Sequence, residues 1–246
     1  MESSTLKINS TKDLLTVAAY EFLGTAMLLL GIMFSTPTTA FVFPSILFLA
    51  LCLFGKYSGG YFNGAIALGV YILNQDKVRE NLITLIVLNI AEWLGAFAGV
   101  QIASWLLGSA NLAFVAPAGS VFSATLVEIL FTFFLVAFVM SLKGMNLSGT
   151  KDGVIANAAF CFLLYCLGTM AGRVSGGCLN PFVCTTQSIF NMSLTGTNTY
   201  KYFATFLFAP YLGGILAGFF GLYLQKVQKY YESQEPDYSK MEIENK

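Results

Sequence analysis

Histidine is absent from all 246 residues, which removes the commonest general base, proton relay and metal ligand at once. Charge is nearly as scarce: Asp, Glu, Lys and Arg make up 11% of the chain, against 56% hydrophobic residues and a mean hydropathy of +0.70. Those proportions exclude an ordinary water-soluble domain and place the chain in a lipid bilayer. Thirteen basic residues balance thirteen acidic ones, so no net field is available to hold nucleic acid. The five cysteines, Cys52, Cys161, Cys166, Cys178 and Cys184, never form a CxxC pair. They give little support to a disulfide framework or a zinc site and read as small buried fillers. No metal or other cofactor is expected, and no nucleophile–base pair for an enzyme can be assembled.

What the chain does have is long apolar runs. Residues 1–13 form a polar tail without a cleavage site ahead of the first run, so no removable signal peptide is expected. Six segments follow that suit helices crossing a hydrocarbon layer roughly 30 Å thick: Leu14–Phe34, Ala40–Phe54, Leu82–Leu107, Val121–Leu142, Val154–Met170 and Tyr202–Leu224. The second and fifth need their flanks to span. Two further apolar pieces, 63–73 and 180–190, are only about half a membrane long. They read as re-entrant half-helices, whose ends are tolerated at membrane depth only where they line a cavity. From 225 to 246 the chain is polar again and reads as a frayed helix ending in a tail.

Internal repetition bounds the architecture. Glu21-Phe22-Leu23-Gly24-Thr25 echoes Glu128-Ile129-Leu130-Phe131-Thr132, and Ser58-Gly59-Gly60-Tyr61-Phe62-Asn63 echoes Ser175-Gly176-Gly177-Cys178-Leu179-Asn180. Two repeats result, 14–107 and 121–224, joined by a loop at 108–120. Each holds three spans and one half-helix. An odd number of crossings forces the repeats to insert upside down relative to each other, so the half-helices enter from opposite faces and their N-termini meet near the midplane. The expected fold is therefore an all-α membrane protein with six transmembrane helices and two re-entrant half-helices in an inverted 3+3 repeat.

Charge placement gives the orientation, because Lys and Arg collect on the cytoplasmic side. Of the thirteen, Lys7, Lys12, Lys56, Lys77, Arg79, Lys143, Lys151, Lys226, Lys229, Lys240 and Lys246 fall on the side of the termini, and only Arg173 and Lys201 on the other. Both termini are expected in the cytoplasm, or on the matrix or stroma side of an organelle.

These residues resemble the major intrinsic proteins, that is, aquaporins and aquaglyceroporins. The motifs above carry the likeness together with Ala91-Glu92-Trp93-Leu94-Gly95-Ala96 and Asn180-Pro181, in the right order over nearly the whole chain. The resemblance implies a solute pore in each protomer of a homotetramer, with two Asn-Pro-Ala motifs capping the half-helices. Asn63 and Asn180 match those caps. An Asn N-cap accepts a first-turn N–H and leaves its NH₂ to face the pore, and two facing helix N-termini place positive potential there that repels protons and cations.

Departures from the family pattern are as informative. Asn63 is followed by Gly64-Ala65 where the family has Pro-Ala, and Asn180 by Pro181-Phe182-Val183 where it has Pro-Ala-Arg. Val183 thus replaces the filter Arg. By offset, the other filter positions are Phe43, Gly168 or Thr169, and Gly177, a ring of one aromatic with small or apolar neighbours. Glycerol-, urea- or ammonia-like solutes are then as plausible as water, while Arg173 reads as a solvated loop residue. The paired motif prolines touch at the midplane in the family, so the missing ring at Gly64 makes room for Phe182, unless Phe182 plugs the pore. Glu21 and Glu128, expensive in a membrane, are expected to brace the half-helix loops as their family counterparts do. Glu92 stands where the family usually has Gln and reads as lying near a vestibule, with a proton-coupled role as the sharper alternative.

Gly95 with Gly99, and Gly214 with Gly218, read as close helix contacts. Tyr200, Tyr202, Tyr230 and Tyr231 suit interfacial belts, and Asn191-Met192-Ser193 is a glycosylation triplet of a kind that often arises by chance. The leading expectation is a passive channel for small uncharged solutes. Against it stand a non-conducting relative serving as a structural or assembly subunit of a membrane complex, and a coupled secondary transporter.

Overall fold

A computed structural model describes residues 10–36, 38–74, 78–112, 114–143, 150–197 and 199–234. Among them are eight α-helices and no strand: α1 (Thr11–Phe34), α2 (Val42–Ser58), α3 (Gly64–Leu73), α4 (Val78–Leu107), α5 (Val121–Lys143), α6 (Gly153–Gly172), α7 (Pro181–Thr195) and α8 (Phe203–Gln234). Their order, three helices with a short one between the second and third and then the same again, is that of the expected six spans and two half-helices. Five helices are long and apolar enough to cross a membrane, while α2 has 17 residues and α3 only 10. The helix ends follow local chemistry. Ser10 accepts the Asp13 N–H at 3.1 Å to start α1, and Asp152 accepts the Val154 and Ile155 N–H groups at 2.8 and 3.0 Å to start α6. Beyond the apolar span's end at Leu224 the helix expected there is present, and α8 runs on through Gln234, since Lys and Gln sustain a helix beyond the apolar core. Lys7, Lys77, Lys240 and Lys246 lie outside the described residues.

The two repeats pack alike. Helix α1 lies against α2 and α4, as α5 lies against α6 and α8; α3 sits on α8 and α4, and α7 on the same two helices. Glycine sets the tightest crossings. A Cβ on Gly95 would strike the Phe22 backbone, one on Gly99 would come within 2.5 Å of the Ala26 carbonyl, and one on Gly213 within 2.5 Å of the Ile129 carbonyl. Gly214 and Gly218 differ, facing Ala65 and Ile72 of α3, so this second pair seats a half-helix and not a full span. The buried interior is apolar, and large apolar side chains such as Trp105, Phe122, Phe162 and Phe208 are exposed on the outside, as a bilayer requires. Tyr200, Tyr230 and Tyr231 are exposed, but Tyr202 is buried and donates its hydroxyl to the Gly119 carbonyl at 2.7 Å. Asn191 is also buried, within α7, where its side chain accepts a hydrogen bond from Thr195; the glycosylation triplet is not a surface loop.

Candidate pore

Each Ser-Gly-Gly-x-x-Asn segment folds the same way. Ser58 accepts the Gly60 N–H at 3.1 Å, and Ser175 accepts the Gly177 N–H at 3.2 Å. The residue before each Asn takes a left-handed conformation that non-glycine residues seldom adopt, Phe62 at φ 47° and Leu179 at φ 51°. The twist aims each N–H and each carbonyl in directions a regular turn would not. The Phe62 N–H goes to Glu21 at 2.7 Å and that of Tyr61 to the same carboxyl at 3.2 Å. Leu179 and Cys178 donate to Glu128 at 2.8 and 3.2 Å, and the Ser175 hydroxyl adds a third bond at 2.5 Å. Both carboxyls are fully buried, so these donors replace the water they have lost.

The carbonyls released by the same twist cross to the other repeat. Asn63 Nδ2 donates to the Leu179 carbonyl and Asn180 Nδ2 to the Phe62 carbonyl, each at 2.8 Å. Meanwhile Asn63 Oδ1 accepts the Ala65 N–H at 2.9 Å and Asn180 Oδ1 the Phe182 N–H at 3.0 Å, so each Asn caps its own half-helix. The amides are thus less free than the capping argument expects, because one N–H of each ties the repeats together. The tips of α3 and α7 converge through these bonds.

A cavity of about 490 Å³ leads to the two asparagines from the side opposite the start of α1 and the end of α8, entering between Ser35–Thr36 and Phe114–Ala116. Phe43, Gly168, Thr169, Gly177 and Val183 all line it, and none of its described lining residues is charged. A Cβ built on Gly168 would lie 3.6 Å from the Gly177 carbonyl and 4.0 Å from the Phe43 ring, which draws these three positions to one level. Arg173 is exposed at the end of α6 and is not among the lining residues.

Of the four midplane candidates, Gly64, Ala65, Pro181 and Phe182 are all buried. The Phe182 ring points away from the cavity, stacking on Trp93 at 6.1 Å and meeting Tyr211 edge-on at 6.3 Å. It is not among the cavity-lining residues, so it does not plug the cavity. A Cβ on Gly64 would come within 2.6 Å of the Phe182 ring, Asn89 Oδ1 and the Tyr211 hydroxyl, and the last two are themselves hydrogen-bonded at 2.5 Å. Glycine at 64 is what gives this cluster its room. Glu92 lies beside Glu21, fully buried and off the cavity lining.

Two features escaped sequence reasoning. Gln187, three residues past Cys184 in α7, lines the cavity and accepts the Val115 N–H at 3.1 Å, pinning the connecting loop over the mouth. The second is a correction: Cys178 and Cys184 are not separate fillers but are joined as a disulfide, with Cα atoms 5.6 Å apart. The turn at Asn180 folds the chain back on itself, so a six-residue separation brings the sulfurs together where the search for CxxC saw nothing. Of the other three, Cys161 is buried and free, as a filler should be, whereas Cys166 is half-buried and Cys52 is exposed.

Residues 9–221 match the model of a family described as major intrinsic protein. The chain is 25% identical over 177 residues to aquaporin AqpM of Methanothermobacter marburgensis, covering 69% of each chain. It is 29% identical over 174 residues to the probable aquaporin TIP2-2 of Oryza sativa subsp. japonica, covering 70% of this chain and 65% of that one. In fold it is similar to the X-ray structure of the aquaglyceroporin from Plasmodium falciparum, with a TM-score of 0.66 over 85% of this chain and 92% of that chain, at 19% sequence identity.

Proposed function

This chain belongs to the major intrinsic protein family and is a membrane channel for small solutes, and from that premise we propose that it passes small uncharged molecules through a filter without a fixed charge. The observation that carries this reading is the uncharged cavity ending at two asparagine amides on converging helix N-termini. Water and glycerol-, urea- or ammonia-like solutes all fit such a lining, because each can accept from the amide N–H groups without needing a counter-ion. The filter is Phe43, Gly168 with Thr169, Gly177 and Val183; in place of an arginine's donors Val183 offers only methyl groups. Exclusion of protons and cations then rests on the two helix dipoles and on the lack of any compensating negative charge in the lining. Glu21 and Glu128 serve as braces: their partners are backbone groups and Ser175, and neither carboxyl lines the cavity. The proposed assembly is a homotetramer with both termini in the cytoplasm, supported by the bias of Lys and Arg toward the side of the termini.

Stopped-flow light scattering of proteoliposomes tests this. Gradient-driven swelling with water, glycerol and urea, without ion current, is the expected outcome. Val183→Arg should slow glycerol and urea relative to water. Equal slowing of every solute, or none, would remove Val183 from the filter.

A further inference from the structure

The Cys178–Cys184 bond encloses the residues on which the pore depends most. Between the two cysteines lie Leu179, whose carbonyl holds Asn63, then Asn180, Pro181, Phe182 and the filter residue Val183. The bond ties the loop entering α7 to that helix's own first turn. The two sulfurs are not equivalent. Cys178 lines the cavity, whereas Cys184 is fully buried beneath it. Nothing comparable exists in the first repeat, where the corresponding positions are Tyr61 and Ala67.

The bond is a cross-link between the loop and the helix it enters, and breaking it frees the loop's end to shift. Cys184 has packed neighbours on all sides, so the displacement falls on Cys178, the partner bordering open space. Its backbone N–H is also one of the groups that Glu128 holds, and the next residue is Leu179 with its left-handed twist. A thiol swinging inward narrows the cavity beside Gly177 and loosens the carbonyl that positions Asn63.

We propose that Cys178 and Cys184 form a reversible redox site whose state sets the permeability of the pore, high when bonded and low when reduced. The gating half of this rests on the channel reading above. Oxidation takes a hydroperoxide small and neutral enough to enter the cavity. The Cys178 thiolate attacks one peroxide oxygen, giving a sulfenic acid and releasing hydroxide or its conjugate water; the Cys184 sulfur displaces the second hydroxyl as water, so two thiols and one hydrogen peroxide become one disulfide and two waters. Reduction reverses the electron count with a small dithiol. One thiolate attacks Cys178, the accessible sulfur, and Cys184 leaves as a thiolate in the first turn of α7, where the helix N-terminus favours negative charge. The second thiol of the reductant then displaces Cys178, leaving the cyclic disulfide of the reductant and two protein thiols.

The test uses the full-length wild-type chain in proteoliposomes, so it does not depend on a variant folding. Vesicles are treated with dithiothreitol, then with hydrogen peroxide, and at each stage water flux is measured and free thiols are counted by alkylation and peptide mass. Cys52, Cys161 and Cys166 are unpaired and serve as internal controls. The expected result is that dithiothreitol exposes both Cys178 and Cys184 to alkylation and lowers flux several-fold, and that peroxide reverses both changes. Free thiols at both positions after peroxide would overturn the site, as would a bond that dithiothreitol opens only after denaturation. A bond that cycles while a measurable flux stays constant would overturn the gating. Absence of flux for every solute in both states, with the bond still cycling, would sink the channel reading and leave the redox site standing.

Discussion

From Ser58 to Ala65, and again from Ser175 to Phe182, the backbone follows one path: the same serine turn, the same left-handed residue, the same carboxyl beneath and the same Asn cap. The side chains along that path diverge. Tyr61 answers to Cys178, Phe62 to Leu179, Gly64 to Pro181 and Ala65 to Phe182. Bulk has moved across the pseudo-symmetry axis in more than one place. The Phe62 ring fits only because Gly24 of α1 has no Cβ, while the second repeat pairs the smaller Leu179 with Phe131 at the position answering to Gly24. Phe182 likewise occupies space that a side chain at Gly64 would need. The architecture thus requires a hydrogen-bond pattern at these loops, and tolerates any filling that conserves volume.

Breaking the shared pattern should do the greatest damage. Glu128→Ala leaves two backbone N–H groups without their acceptor and takes the shorter of the Ser175 hydroxyl's two bonds, and Glu21→Ala leaves two backbone N–H groups without theirs. At about 1–3 kcal/mol for each orphaned buried group, the loss reaches a large part of a typical folding free energy. Both variants should give little monodisperse protein on size-exclusion chromatography in detergent, with Glu128→Ala the worse. Equal, mild losses would show that the two loops do not depend on their braces.

Next comes the exchange of volume. Gly64→Pro should lower stability by roughly 1–3 kcal/mol, the usual cost of overfilling a packed site. Adding Phe182→Ala should recover part of that, because one of the three crowding groups is gone while Asn89 and Tyr211 stay. A thermal-unfolding double-mutant cycle reads the coupling, and strict additivity of the two changes would refute the compensation. The smallest effect should come from Glu92, whose counterpart in α8 is Pro210 and which the second repeat does without. Glu92→Gln keeps the shape and supplies an NH₂ donor beside Glu21, so stability should stay within about 0.5 kcal/mol of the parent, like an unstrained isosteric change, and flux should be unchanged. A large loss of flux at unchanged stability would instead give Glu92 a part in permeation.

Much of this was legible because the repeat is written in residue types that have few alternatives. Glycines with positive φ, an Asn cap and an intramembrane Glu are costly to place anywhere else, so their recurrence in order marked both loops and both braces. What stayed hidden depends on direction, not type. Phe182 reads equally as a plug or as packing until its ring is seen against Trp93 and Tyr211. The partner of each Asn amide lies in the other repeat, more than a hundred positions away, where no local spacing rule reaches. Gln187 looked like one polar residue among several in α7, and only the fold of the 108–120 loop supplies the Val115 N–H that it accepts. The cysteine pair was missed because spacing rules for sulfur assume a particular loop, and the Asn180 cap makes a different one.

The two amide-to-carbonyl bonds joining the repeats at Asn63 and Asn180 bear on how such a protein works over time. A carrier that alternates its exposure must slide one half past the other, and here every stroke would have to part both bonds between buried groups. The halves are instead riveted at the waist. Solutes then move past a stationary wall, so throughput should rise in proportion to the gradient without saturating, and warming should quicken it scarcely more than it quickens diffusion in bulk water.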